Sequence, residues 1–221
     1  MITGLERLYE NMPWSPHGIC SDPWGGHQGH TFHGAFEGVA EFAALEEIHR
    51  VVYEEAKRVA SDGRAFAMAE CGTCDGGSTI VCGHAIKVAG ATGKIWTAEI
   101  CLVRSDGQPR PWPKVWQDFE VADYIVACIG DTRQAKTWND AGLPNPVDAA
   151  FIDSEHNYKQ IMDEWAILGP RMKHGGKVLF HDCMLNEYPG VIQAVGEIAD
   201  ILDVEPEFLR SSRGLALLTV P

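Results

Sequence analysis

Acidic and histidine residues late in the chain have the spacing of a catalytic centre. Asp153 follows the apolar run VDAAFI, and the pair His181-Asp182 follows the run GKVLF. If these runs are neighbouring parallel strands, their carboxyl ends bring the side chains to one sheet edge, where ligands bind in open α/β folds. Two carboxylates and an imidazole can hold a divalent metal, either Mg²⁺ or, because of the imidazole, Mn²⁺ or a transition metal. We predict a metal site at Asp153, His181 and Asp182; the alternative is strand-end acids that bond only loop amides.

A further histidine lies close to this predicted centre. His156 follows Asp153 by three residues, in the segment Asp-Ser-Glu-His. Because imidazole titrates near neutral pH, His156 is a candidate general base. The alternative is a histidine that packs in the core or caps a helix. The predicted catalytic set is therefore Asp153, His156 and Asp182.

A glycine-rich turn, ECGTCDGGST, occupies residues 70–79 between an apolar strand pattern and a helical pattern. Glycines let a backbone turn sharply and approach a ligand closely. Ser78 or Thr79 is placed to cap the following helix, whose N-terminus favours an anionic group such as a carboxylate. The turn has neither the Gly-Lys-Ser/Thr of a P-loop nor the G-x-G-x-x-G of dinucleotide binders. A plain strand-to-helix connection is the alternative.

Acids at the ends of the next two strand patterns indicate a nucleoside site beside this turn. Glu99 ends the second pattern, where a carboxylate can accept hydrogen bonds from both hydroxyls of a ribose. Asp131 and Thr132 follow the third pattern, where the edge of an adenine would lie. The alternatives are a solvated acid at Glu99 and a helix N-cap at Asp131.

Short apolar runs alternate with helical patterns through most of the chain. This alternation predicts an α/β fold, a parallel sheet with helices on both faces. The tail, with strand patterns at 205–210 and 215–220, predicts a terminal hairpin. The remaining strand patterns cover residues 64–70, 94–100, 123–130, 147–153 and 176–182, and the helical patterns cover 35–60 and regions near 77–90, 131–141, 156–170 and 189–203.

Residues 1–34 differ from the rest, since they are rich in Gly, Pro, His and Trp and show no periodicity. We predict an N-terminal lid or cap here, preceding a domain at 35–221. Its histidines, His27, His30 and His33, could line an acceptor pocket or ligate a metal, and a polar lid with incidental histidines is the alternative. Trp112 and Trp116 could form another pocket wall, or they could pack in the core.

Composition limits the partners that the chain can have. Acids outnumber bases 31 to 18, for a net charge of −13, which disfavours binding to nucleic acid. No stretch approaches the roughly 18 apolar residues of a membrane span. Seven irregularly spaced cysteines and an N-terminus without a signal-peptide pattern favour a soluble, cytoplasmic protein. We expect a small-molecule partner and leave a homo-oligomer open.

The segments AECGTCDGGST, FIDSEHNYKQIMDEW, LGPRMKHGGKVLFHDC and YPGV resemble class I S-adenosylmethionine-dependent methyltransferases. Within that class they are most similar to the small-molecule O-methyltransferases of methyltransferase family 24. The resemblance spans roughly residues 64–200 and implies a Rossmann-like, seven-stranded, mostly parallel sheet with an antiparallel final strand. It also implies binding of S-adenosylmethionine along the strand ends. The implied cofactor-binding residues are Glu70, Gly72, Thr73, Gly76, Ser78, Glu99, Asp131, Thr132 and Asp153.

The resemblance implies methyl transfer to a hydroxyl of a sugar or natural-product intermediate, assisted by Mg²⁺ or another divalent metal. Metal-dependent relatives have an acidic pair or Asp-Asn where this chain has His181-Asp182-Cys183, which leaves the third ligand open. Two alternatives remain: a metal-independent N-methyltransferase that acts on a small amine, and a non-catalytic module that binds the cofactor or a partner.

Overall fold

Strands and helices alternate along the chain, as the sequence patterns predict. The computed structural model describes residues 35–221, except 104–106, 108, 111, 184–186 and 212. The strands are β1 (Phe66–Cys71), β2 (Gly93–Glu99), β3 (Ile125–Ile129), β4 (Val147–Ile152), β5 (Met172–His181), β6 (Glu207–Leu209) and β7 (Leu215–Thr219). The helices are α1 (Ala35–Ser61), α2 (Gly77–Val88), α3 (Trp112–Asp118), α4 (Ala135–Asp140), α5 (Tyr158–Leu168) and α6 (Pro189–Leu202), with 3₁₀ turns at Ala122–Tyr124 and Gly169–Arg171.

All of these strands belong to one sheet, in the order β3-β2-β1-β4-β5-β7-β6. Strands β1 to β5 run parallel, whereas β7 is antiparallel to β5 and pairs with β6 as the predicted hairpin. This confirms the predicted Rossmann-like, mostly parallel seven-stranded sheet. The strand order reverses between β1 and β4, which is the place where open α/β sheets bind their ligands.

Helices cover both faces of the sheet, because successive strand residues point to opposite sides. On β1, Phe66 and Met68 pack into the apolar cluster beneath α1, α2 and α3. Ala67 and Ala69 pack into the second cluster, beneath α4, α5 and α6. Every residue of β1 is buried, as expected for the central strand of a two-sided sheet.

The structure adds one helix to the predicted elements and corrects the starts of two others. Helix α3 is present where the sequence predicted only a possible pocket wall. It tolerates Pro113 as its second residue, since the first turn needs no N–H donor there. Helix α4 is shorter than the pattern at 131–141, because residues 131–134 form a turn. Strand β5 begins at Met172 rather than 176, where its pairing with β4 shifts register after Val147.

Three further predictions concern the N-terminal lid, membrane spans and disulfides. The predicted lid, with its histidines, lies outside the described residues and stays a prediction. Among the described helices, none combines the length and apolarity that crossing a membrane requires. The six cysteines that the structure describes are all free thiols.

Candidate active site

The glycine turn and the acid of β4 are in direct backbone contact. The amide of Asp153 donates to the carbonyl of Cys71, at 3.0 Å. Gly72 has a φ of +92°, and a Cβ atom there would lie 2.1 Å from the carbonyl oxygen of Asp153. Only glycine fits this position. The turn after β1 therefore has a fixed place relative to Asp153.

Glu70, at the end of β1, connects the glycine turn to helix α2 through hydrogen bonds. Its side chain is fully buried and accepts hydrogen bonds from Ser78 Oγ at 2.6 Å and from Thr79 Oγ1 at 2.5 Å. Burial raises the pKa of Glu70 to about 7. The predicted capping by Ser78 or Thr79 is therefore wrong, because both hydroxyls are committed to Glu70. The N-cap is Gly76, which brings no side-chain cap and so leaves the first amides of α2 available to an anionic group.

Glu99 is held with its carboxylate at the end of β2. Its Oε2 accepts from the amide of Cys74 at 3.0 Å, and its Oε1 accepts from the amide of Cys101 at 2.9 Å. A carboxylate has about four acceptor sites, so a ribose could still bind alongside these amides. Exposed apolar side chains, Ile100 and Ile129, follow at the ends of β2 and β3. This surface suits the predicted nucleoside.

Asp131 lies beyond β3 and is partly exposed. It accepts hydrogen bonds from the backbone amide and guanidinium of Arg133, and these lower the pKa of its carboxyl. The N-cap of α4 is Gln134, so the alternative of Asp131 as a helix cap is not what the structure has. Contact with an adenine stays a prediction.

Glu164 is a buried acid that the sequence reasoning missed. It accepts hydrogen bonds from Ser154 Oγ at 2.6 Å, from Gln160 Nε2 at 2.7 Å and from the hydroxyl of Thr132. Burial raises the pKa of Glu164. The hydroxyl of Thr132 faces this network, so any contact of Thr132 with a cofactor would use its backbone. Likewise the hydroxyl of Thr73 is buried against Thr97, at 2.6 Å.

Asp153, His181 and Asp182 meet at the ends of β4 and β5, as predicted. Their candidate ligand atoms all lie within 4.8 Å of one another. Nδ1 of His181 is 3.4 Å from Asp153 Oδ1 and 3.3 Å from Asp182 Oδ2. The other oxygen of Asp182, Oδ1, is buried and accepts no hydrogen bond, but it forms an ion pair with Arg213 at 3.6 Å. Two carboxylates and an imidazole at this spacing fit a divalent metal.

His156 joins this cluster from the loop before α5. Its Nε2 lies 2.8 Å from Asp182 Oδ2 and 3.7 Å from Asp153 Oδ1. Burial favours the neutral ring, but hydrogen bonds to the carboxylates outweigh it and raise the pKa of His156 to about 9. Hydrogen bonds from His156 and His181 also overcome burial at Asp182 and hold the pKa of that carboxyl well below its ordinary value. A role for His156 as general base therefore requires the ring first to lose its proton.

Helix α3 covers the glycine turn from the outside. Trp112 Nε1 donates to the carbonyl of Cys74 at 2.7 Å, and the rings of Trp112 and Trp116 stack with centroids 5.9 Å apart. A Cβ atom on Gly76 would lie 2.9 Å from Trp116 Nε1. Both tryptophans are buried, so they support the turn through packing.

The known proteins to which this chain is similar are methyltransferases. A family model described as a methyltransferase domain matches residues 69–183. The fold is similar to that of the O-methyltransferase NovP, with 20% identity, 80% of this chain and 79% of NovP covered, and a TM-score of 0.59. It is also similar to TomG from Streptomyces achromogenes, involved in tomaymycin synthesis and solved with S-adenosylmethionine, at 16% identity, the same coverages and a TM-score of 0.58.

A third solved structure is CalS11, a TDP-rhamnose 3'-O-methyltransferase of calicheamicin biosynthesis. It is 16% identical, with 80% of this chain and 79% of CalS11 covered and a TM-score of 0.61. Among curated protein sequences, none matches significantly.

Proposed function

We propose that this chain, which belongs to methyltransferase family 24, transfers the methyl group of S-adenosylmethionine to a hydroxyl of a small molecule. The family membership rests on the methyltransferase-domain match over residues 69–183. The observation that carries the proposal is the backbone contact between the glycine turn and Asp153. It sets the predicted cofactor turn directly beside the cluster of acids and histidines.

The cofactor would lie across the ends of β1, β2 and β3. The amides at the start of α2 suit its carboxylate, Glu99 suits its ribose hydroxyls, and Asp131 would lie by its adenine. When bound, S-adenosylmethionine supplies an activated methyl group on a sulfonium. The protein's own task is then to align the acceptor and remove its proton.

Asp153, His181 and Asp182 would hold a divalent metal at this edge. The grouping of their candidate ligand atoms within 4.8 Å supports that role. So does the buried Oδ1 of Asp182, which accepts no hydrogen bond and has only a 3.6 Å ion pair with Arg213 among the contacts of the described residues. A metal bound there would lower the pKa of an acceptor hydroxyl. For the acceptor we propose a sugar or natural-product intermediate, the class named for CalS11 and TomG.

Titration calorimetry with S-adenosylmethionine and S-adenosylhomocysteine tests the cofactor, and no binding of either would sink the proposal. A methyl-transfer assay on matched sugar alcohols and sugar amines tests the acceptor group. We expect transfer to hydroxyls, loss of activity in EDTA, and recovery when Mg²⁺ or Mn²⁺ is added. Transfer to amines that EDTA does not affect would favour a metal-independent N-methyltransferase instead.

The Asp153→Ala variant separates catalysis from cofactor binding. We expect turnover to fall roughly 100-fold or more, because the variant removes a ligand of the proposed metal, and loss of assisted proton removal costs about that much. Affinity for S-adenosylhomocysteine should stay within a few-fold of wild type. Asp163→Ala is the matched control, because Asp163 forms a surface pair with Lys159. If Asp153→Ala instead loses the cofactor, Asp153 acts in cofactor binding.

A further inference from the structure

A short loop after β2 carries a charged residue back to the glycine turn. Val103 and Pro109 form an isolated antiparallel bridge, and the amide of Arg110 donates to the carbonyl of Leu102 at 3.0 Å. Arg110 is therefore fixed by backbone pairing just before helix α3. Its side chain is only 7% exposed, which is unusual for an arginine.

The guanidinium of Arg110 joins two separate segments. Nη1 donates to Asp75 Oδ1 at 2.7 Å and lies 3.6 Å from Cys74 Sγ, both in the glycine turn. Nε donates to the carbonyl of Cys101, just beyond β2, at 3.3 Å. Asp75 is 1% exposed, so this is a buried ion pair. A planar guanidinium can form such divergent bonds at once, whereas an ammonium acts as a single point charge.

The same two segments hold Glu99. The amide of Cys74 donates to one oxygen of the Glu99 carboxylate, and the amide of Cys101 donates to the other. Arg110 thus bonds to both segments that hold Glu99, and its positive charge also lies close enough to attract the Glu99 carboxylate. Movement of either segment would turn the carboxylate away from its present orientation.

We propose that Arg110 is a positioning residue for the cofactor: it clamps the glycine turn to the end of β2 and so holds Glu99 oriented for the ribose. This inference rests on the proposed function, because it assigns Arg110 to the binding of S-adenosylmethionine. Arg110 acts through Cys74 and Cys101 and takes no part in the chemical step. Its loss should therefore weaken cofactor binding while turnover at saturating cofactor is preserved.

The test is the Arg110→Lys variant, which can keep the charge that Asp75 needs but cannot bridge to Cys101 at the same time. We expect the Kd for S-adenosylhomocysteine and the KM for S-adenosylmethionine to rise about tenfold, with kcat within twofold of wild type. Arg64→Lys is the matched control, because Arg64 also pairs with a buried aspartate, Asp148, at the start of the strands. Unchanged cofactor affinity in Arg110→Lys would overturn the inference.

A double-mutant cycle tests whether Arg110 acts through Glu99. In the Glu99→Ala background, Arg110→Lys should change the Kd for S-adenosylhomocysteine by less than twofold, because the carboxylate that it positions is gone. A full tenfold effect in that background would show that Arg110 acts elsewhere and overturn the inference. If Arg110→Lys fails to fold by circular dichroism, Asp75→Asn loosens the same guanidinium and carries the same expectations.

Binding measurements on the wild-type protein distinguish failure of the proposed function from failure of the inference about Arg110. If wild type binds neither S-adenosylmethionine nor S-adenosylhomocysteine, the proposed function fails and the inference fails with it. If wild type binds them and Arg110→Lys binds them equally well, only the inference fails.

Discussion

A methyl group on Gly72 would have no space, because the carbonyl of Asp153 occupies the position where it would lie. The backbone φ of +92° adds a second penalty for any residue with a Cβ atom. The steric contact at Gly72 therefore fixes the glycine turn and Asp153 relative to each other.

We predict that Gly72→Ala destabilises the protein by roughly 3 kcal/mol or more, from strained φ together with overpacking. Gly142→Ala is the matched control: Gly142 has a φ of +71° but nothing within 4 Å of a Cβ, so only about 1 kcal/mol is expected. Urea denaturation of both variants measures the difference. Equal losses would mean that the contact with Asp153 does not constrain the turn.

Among individual residues, the sequence predicted the site correctly where acidic or histidine residues directly follow a strand pattern. Asp153, His181 and Asp182 could be brought together because parallel strands end at one edge. Arg110 and Glu164 could not be found in that way. Arg110 lies 35 positions from Asp75, and no pattern along the chain marks a contact that forms only when a loop folds back.

Between elements, a pair of histidines lies where helix α1 packs on helix α2. Nε2 of His49 is 3.0 Å from Nδ1 of His84. His49 is fully buried, and burial lowers its pKa to about 4. His84 is less buried, but burial lowers its pKa as well. A proton on either ring would therefore weaken the packing of these helices.

We predict that this pair reduces stability as the pH falls from about 6.5 to 4. In that range the unfolded chain protonates His49 while the folded protein does not, so the free energy of unfolding decreases by up to about 1.4 kcal/mol per pH unit. Glu70, whose pKa is raised to about 7, has the opposite dependence between its ordinary value and pH 7. The measurement is therefore the difference between wild type and His49→Gln, by urea denaturation at pH 7, 6, 5 and 4.

In that comparison, wild type should lose stability relative to His49→Gln on acidification. His174→Gln serves as the control, since His174 is an exposed histidine at the start of β5 and far along the chain from the pair. Parallel pH profiles for wild type and His49→Gln would contradict the prediction.

Helices and strands could be predicted where apolar residues recur regularly, but not where proline or glycine interrupts the pattern. Buried β1 and β4 follow from apolar runs that a single acid interrupts, Glu70 in β1 and Asp148 in β4. Helix α3 was not among the predicted elements, because Pro111 and Pro113 flank Trp112 and leave no helical pattern there. Its stability comes from burying Trp112 and Trp116 against the glycine turn. The early start of β5 was missed because Gly175 and Gly176 break the strand pattern. In the structure Met172 pairs with Val147 across a register shift, and Val220 hydrogen-bonds to the backbone of both glycines.

For the whole molecule, alternation alone predicted the layered architecture, and the resemblance implied the antiparallel final strand. The placement of β7 between β5 and β6 completes the sheet, and the proposed ligand-binding edge is formed by the carboxyl ends of β1 to β5. Ligands that bind this edge contact several strands at once. Their binding should therefore stabilise the folded chain as a unit.

We predict that S-adenosylhomocysteine at about 100 times its Kd raises the Tm by roughly 5–10 °C, the effect of about 2.7 kcal/mol on a chain of this size. Differential scanning calorimetry measures the shift, with GTP as an unrelated nucleotide control. No shift, or the same shift with GTP, would contradict a specific nucleoside site at this edge.

The backbone contact between Gly72 and Asp153 has a consequence for how such a protein can be retargeted. The proposed cofactor turn and Asp153 follow the same two central strands, β1 and β4, so the sheet rather than a loop sets the distance between them. Acceptor recognition can then be exchanged by grafting loops, without readjusting the reacting geometry. Loops at the carboxyl ends of the strands could then be changed to bind new acceptors, while the sheet keeps the distance between the glycine turn and Asp153 unchanged.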